Sequence, residues 1–374
     1  MAREISLGRR AFLRATAGLA ATGAAPALSW ADAGAPAFLA AARAPTGSYA
    51  LFGLGADGAE RFRIGLPGRG HAAAAHPTRP LAVAFARRPG TFALVIDCAL
   101  GLARARLEAP AGRHFYGHGA FSPDGARLFT CENDFDAGEG RIGVWDASAG
   151  FARIGEFASG GVGPHELLVD ARGGRIIVAN GGIQTHPDSG RAKLNLPTMR
   201  PNLAYLDLET GEPLSVLDPA EELRRNSLRH LALSPDGLVA IAAQWQGDSA
   251  DAVPLLATHR FGETALQFRS APEAEQRRLN GYGGSAAISA DGTCIALTAP
   301  RGGRAHLFDA GGGFLGALAI DDVCGAAALA GDRILLTDGL GGVTAASPTA
   351  RSQPLAKHRA AWDNHVVRIV SSFG

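Results

Sequence analysis

The sequence predicts an all-β fold, a seven-bladed propeller with four-stranded blades, on three observations. The turn Ser122-Pro123-Asp124-Gly125 returns as Ser234-Pro235-Asp236-Gly237 and more loosely as Ser289-Ala290-Asp291-Gly292. Proline presets φ and glycine accepts a positive φ, so this tetrapeptide reverses the chain between two strands. A β-like run follows each turn, and a third run closing on an aspartate comes next, at Asp97, Asp146, Asp207 and Asp309. The equivalent turn positions Ser122, Val169, Ser234 and Ser289 lie 47, 65 and 55 residues apart, the length of one blade. A two-sheet sandwich or two stacked β domains is the alternative arrangement of so many short strands.

Taken in order, residues 1–33 read as an export signal. Arg9-Arg10-Ala11-Phe12-Leu13 precedes an Ala- and Gly-rich, weakly apolar stretch, and Ala31-Asp32-Ala33 offers a cleavage site. The propeller domain is then residues 34–374. Three N-terminal runs, at residues 38–42, 49–53 and 61–64, are expected as the outer strands of the last blade. The C-terminal run, residues 364–369, is expected as its innermost strand, a closure that removes exposed sheet edges. Turns at His76-Pro77 and Val169-Asp170 mark two further blades, and a sixth unit runs from Cys324 to about Ala356. The long interval holds an insertion, residues 183–200, and only residues 219–225 and 272–278 look helical.

Composition bounds the function. With 47% hydrophobic and 19% charged residues the chain is too apolar to be disordered. A formal net charge of +1 argues against a nucleic-acid partner. No segment supplies the roughly 18 consecutive apolar residues of a spanning helix. The expectation is a periplasmic monomer. Cys98, Cys131, Cys294 and Cys324 show no paired CxxC spacing, so disulfides are left open.

Gly117-His118 with Trp145-Asp146 is similar to the signature dipeptides of WD40 blades, in one blade alone. The repeated Ser-Pro-Asp-Gly turns resemble those of YVTN/lactonase-type bacterial propellers. Together with the twin-arginine motif, the segments Tyr116-Gly117-His118-Gly119, Glu132-Asn133, Gly163-Pro164-His165-Glu166, Arg229-His230-Leu231 and Trp362-Asp363-Asn364-His365 resemble a poorly characterised proteobacterial family of exported propellers. Its members belong to a domain of unknown function and are often encoded beside imelysin-type proteins. The resemblance implies fold and compartment, and suggests iron-uptake proteins of the periplasm as partners.

The turns also act as a ruler. His118, His165 and His230 each stand four residues before the equivalent turn position, at the start of successive innermost strands. His71 is one residue out of register, and His365 stands on the last innermost strand. Such strands line the channel, so these five are the candidate metal ligands; neutral imidazole suits iron, copper or zinc. Glu166, Glu132, Asn180, Trp245, Arg301, Cys324 and Asp363 are the candidate ligand-binding residues around the same mouth. The pattern equally fits histidines that each make a structural hydrogen bond within their own blade.

Standard catalytic signatures (GxSxG, HExxH, a P-loop, CxxCH) are absent. The leading expectation is therefore a propeller binding a metal ion, iron or copper, or a metal-containing ligand, in iron acquisition. Two alternatives stand beside it: a lactonase-like hydrolase or small-molecule oxidoreductase using His165 and Glu166, and a protein-interaction scaffold.

Overall fold

The computed structural model describes residues 27–87, 91–190 and 192–369. Seven four-stranded antiparallel sheets form a ring, a seven-bladed β-propeller. The innermost strands are β4 (Gly70–Ala75), β8 (Arg113–Phe121), β12 (Pro164–Asp170), β16 (Asn226–Leu233), β20 (Ser285–Ile288), β24 (Val323–Ala328) and β28 (Ala361–Arg368). Each of these neighbours the next, and β28 returns to β4 to close the circle. The blades are numbered here from the one that begins with β4, so that β28 belongs to blade seven.

Closure follows the expected plan. In blade seven β28 pairs with β1 (Phe38–Arg43), which continues into β2 (Tyr49–Leu54) and β3 (Glu60–Leu66). The first and last strands of the fold are thus neighbours in one sheet, and neither is left as an open edge in the channel wall.

The turn signal has a shared hydrogen-bond design. The hydroxyls of Ser122, Ser234 and Ser289 accept from the backbone N–H of Arg127, Leu238 and Cys294 at 2.8–2.9 Å. Gly125, Gly237 and Gly292 sit at φ +72°, +90° and +76°, where a side chain is disfavoured.

Apolar packing lies between blades. Seven buried clusters each draw residues from two adjacent blades, one for every junction of the ring. At the junction of blades one and two, Phe85 and Phe115 meet edge-on with centroids 6.3 Å apart, both fully buried. Each blade therefore depends on its neighbours for a core.

The two expected helical stretches appear as a 3-10 turn, Glu221–Leu223, and a short α-helix, Glu273–Arg277. All four cysteines are free and buried. Among the described residues no helix is long and apolar enough to cross a membrane. Residues 1–26, which carry the twin-arginine motif, lie outside the described residues. Trp30–Ala33 forms a 3-10 turn whose buried indole donates to the carbonyl of His76 at 2.9 Å.

Phe85→Ala removes a side chain from a closed junction, and the cavity is expected to cost about 3–5 kcal/mol. Denaturant unfolding should show that loss in one cooperative transition; a separate early transition confined to one blade would contradict shared cores.

Candidate metal centre

All five channel histidines come from inner strands: His71 and His165 stand at the second residue of theirs, whereas His118, His230 and His365 lie within theirs rather than at the start as the sequence suggests. Local backbone irregularity brings them together. In β4 the pairing slips between Gly70 and Ala73, so His71 and Ala72 stand opposite Phe85 alone. In β8 it slips between Phe115 and Gly119, around His118. In β12 the slip brackets His165, in β16 it falls just before His230, and in β28 Asp363, Asn364 and His365 stand opposite Ala41. A β-bulge bends its strand and re-aims its side chains, here toward the axis. The bulge in β4 absorbs the one-residue offset of His71 seen in the sequence. Gly117 assists: its φ is +102°, and a Cβ there would lie 2.5 Å from Cδ2 of His71.

The five rings form one packed group. Centroid separations are 4.3 Å for His230–His365, 4.6 Å for His71–His365 and His165–His230, and 4.8 Å for His118–His365. Two triads, His71/His118/His365 and His118/His165/His230, each offer ring nitrogens within 4.8 Å of one another. His118 belongs to both.

Contacts behind the rings cross from blade to blade. Glu166 of blade three accepts from Nδ1 of His230, in blade four, at 3.1 Å. Its other oxygen is 3.6 Å from Nδ1 of His118, in blade two. The backbone N–H of Leu231 also donates to Glu166, at 3.0 Å. Ser285 of blade five meets Nδ1 of His365, in blade seven, at 3.1 Å. These contacts do not match the own-blade pattern of a WD40-type structural histidine. An ionised carboxylate only accepts, so Nδ1 of His230 carries the proton and its Nε2 keeps a lone pair.

Nitrogen atoms are left over. Nδ1 of His71 and His165 and Nε2 of His118 and His365 are buried without a hydrogen-bond partner. Each such atom costs roughly 1–3 kcal/mol, and four in one group call for a ligand that accepts their lone pairs. Burial, followed by the mutual repulsion of the imidazolium forms, holds His71, His165 and His365 well below the usual histidine range. His230 is pushed down to about 4, because burial outweighs the pull of Glu166. Burial alone would raise the Glu166 carboxyl; the imidazoles of His118 and His230 instead hold it at about 2. His71, His165, His230 and His365 are therefore neutral imidazoles at neutral pH, the form that binds metal.

The imidazole layer separates two spaces. Above it lies a mouth of about 590 Å³ lined by His71, His165, His230, Arg69, Arg87, Lys193, Arg229, Arg301, Tyr282, Cys324 and others. Below it the channel is walled by apolar stretches such as Ala72–Ala75 and Ala326–Ala328.

Not every expected residue reaches this place. Arg301 and Cys324 line the mouth, and burial pushes the Cys324 thiol up to about 12. Asp363 is buried behind the mouth, gripped by Arg69 at 2.5 Å and Arg87 at 2.9 Å. Glu132 is fully buried in an ion pair with Arg153. Asn180 bonds Ser159 and Asn202, and the Trp245 indole bonds Asp251. These three are fixed by neighbours away from the mouth lining. The expected acid–base pair also fails to form, since Glu166 turns to His118 and His230, and a carboxyl near 2 is a poor base at neutral pH. The insertion reaches the mouth through Lys193, whereas Met199 is buried. Sequence reasoning missed Arg69, Arg87, Lys193 and Tyr282. Arg69 stands two residues before His71 and Arg87 just past the second strand of blade one, whereas Lys193 and Tyr282 lie in an insertion and a loop that carry no such signal.

Acid should loosen the metal-free protein. The unfolded chain binds protons on His71, His165, His230 and His365 near pH 6.5, whereas the fold holds His230 down to about 4 and the other three well below their usual range, so stability falls as pH drops below about 6.5. Thermal unfolding of chelator-treated protein should show a lower midpoint at pH 5 than at pH 7. Replacing His71 and His365 by Asn should flatten that slope; an unchanged slope would mean these rings are not buried neutral.

Solved structures with the same architecture include Kuenenia stuttgartiensis hydrazine synthase, at TM-score 0.59 and 11% identity over 80% of this chain and 89% of that one. A chain of the mitotic checkpoint complex aligns at TM-score 0.54 and 11% identity, over 76% of this chain and 75% of that one. At such identity these likenesses speak for the fold alone. No curated protein matches the sequence. A family model described as "Protein of unknown function (DUF1513)" matches residues 64–369, and the chain belongs to that family.

Proposed function

We propose that this protein is a metal-binding propeller acting outside the cytoplasm in metal acquisition, with a transition metal ion held by the axial histidines. The observation that carries this reading is the convergence of five imidazoles from five blades, four of them with a buried nitrogen lacking a partner. The donor set bears on the choice of metal. Glu166 spends its oxygens on His118, His230 and the Leu231 amide, so the axis presents imidazole nitrogen rather than hard oxygen. Imidazole sets bind copper more strongly than iron among divalent ions. Iron remains the competitor through the resemblance to propellers encoded beside imelysin-type proteins. Export rests on the twin-arginine motif in residues 1–33.

In this reading Glu166 and Ser285 are positioning residues. By engaging Nδ1 they fix the ring orientation and direct Nε2 of His230 and His365 to the axis, as outer partners do in metal–imidazole sites.

Elemental analysis of the purified protein beside a His118→Ala, His165→Ala, His230→Ala variant tests the proposal. The parent should retain copper or iron in near-stoichiometric amount and the variant should lose it. Equal metal content in both folded proteins would end the proposal. Glu166→Gln should retain the fold and weaken metal binding by about 10–100-fold in a chelator competition; undiminished affinity would remove Glu166 from the site.

A further inference from the structure

The mouth above the imidazoles is charged in a way that the metal alone does not explain. Five cationic side chains line it, Arg69, Arg87, Lys193, Arg229 and Arg301, against one lining carboxylate, Asp322. Even with Asp363 counted behind the wall, the excess is positive. The chain as a whole is almost neutral at +1, so this concentration is local.

The cations fall on two arcs. Arg69 and Arg87 flank β4 and its partner strand β5 (Leu81–Ala86) in blade one, both holding Asp363. Each spends one nitrogen on that carboxylate, Nε of Arg69 and an Nη of Arg87, so the rest of each guanidinium fork remains for a second acceptor. Lys193 comes from the blade-three insertion, Arg229 from the bulge of β16 in blade four, and Arg301 from the turn Pro300–Gly302 in blade five. In a ring of seven, blades four and five stand across the axis from blade one. Arg301 is seated over the ring of Tyr282, 4.4 Å from its centroid, and Lys193 donates to Gln246. Burial and then the charges of Arg229 and Arg301 lower the Lys193 ammonium, which agrees with cations crowded on that arc.

We propose that this mouth binds a small polycarboxylate whose anionic ends bridge the two arcs above the imidazole layer. The proposal deepens the metal reading of the same site and rests on it in taking the anion as the metal's chelating ligand. A cavity of about 590 Å³ admits a small molecule of this kind. Cations placed on opposite sides of the axis favour an anion that carries charge at more than one end over a single compact one such as phosphate. Guanidinium groups suit carboxylate through paired N–H donors, and a low-dielectric funnel of one sign concentrates the anion.

The probe is citrate, measured by calorimetry against inorganic phosphate on the full chain, with metal content read separately on each sample. Citrate should bind more tightly than phosphate, and its affinity should fall about tenfold from low to high salt. A Lys193→Gln, Arg301→Gln variant should bind citrate at least about tenfold more weakly while its metal content stays at the parent level. Should that variant not fold, Arg301→Gln alone, on an exposed turn, should give a smaller loss in the same direction. No citrate binding by the parent, phosphate binding as tight as citrate, or unchanged affinity in the folded variants would each overturn the proposal. A parent protein that binds citrate but carries no metal would instead count against the metal reading.

Discussion

The site depends on one constraint: seven inner strands must close a circle, and irregularities along them decide what points at its centre. Closure is enforced from outside, by apolar clusters shared between every pair of adjacent blades. Regular antiparallel pairing alone would send alternate side chains up and down each blade face. The bulges in β4, β8, β12, β16 and β28 break that alternation at or beside each histidine. Position in the chain and position on the axis are linked through them.

A buried set of imidazoles is costly without something to bind. Burial keeps His71, His165, His230 and His365 neutral, and neutrality leaves a lone pair on each. Glu166 and Ser285 occupy Nδ1 atoms and so turn the opposite nitrogens inward. The cationic mouth compounds this, since Arg87 and Arg229 further disfavour charged imidazole at His71 and His165. The same charges that keep the rings neutral make the mouth attractive to anions. The proposed metal ligation and the proposed anion recognition would therefore both follow from one arrangement.

Much of this was legible in the sequence because the turns repeat. Ser122, Ser234 and Ser289 set the blade spacing, and the Asp-ended third strands confirmed it. That ruler placed His118, His165 and His230 at equivalent points and carried the closure by β28 with β1. What it could not place was anything fixed by a bulge or a side-chain partner. His71 looked out of register because its bulge is invisible in a count of residues. Glu132 and Asn180 occupy strand ends like Arg301, yet Arg153 and Ser159 hold them inside the blades. Arg69 and Lys193 lie in a loop and an insertion, where no periodicity applies.

The central claim is that imidazoles from different blades share an ion. Pulsed electron paramagnetic resonance of the copper-loaded protein addresses it most directly, because remote ring nitrogens imprint on the copper signal. The account predicts coupling to several equivalent imidazole nitrogens, lost when His118, His165 and His230 are replaced. A signal with a single imidazole, or one indifferent to those replacements, would contradict it.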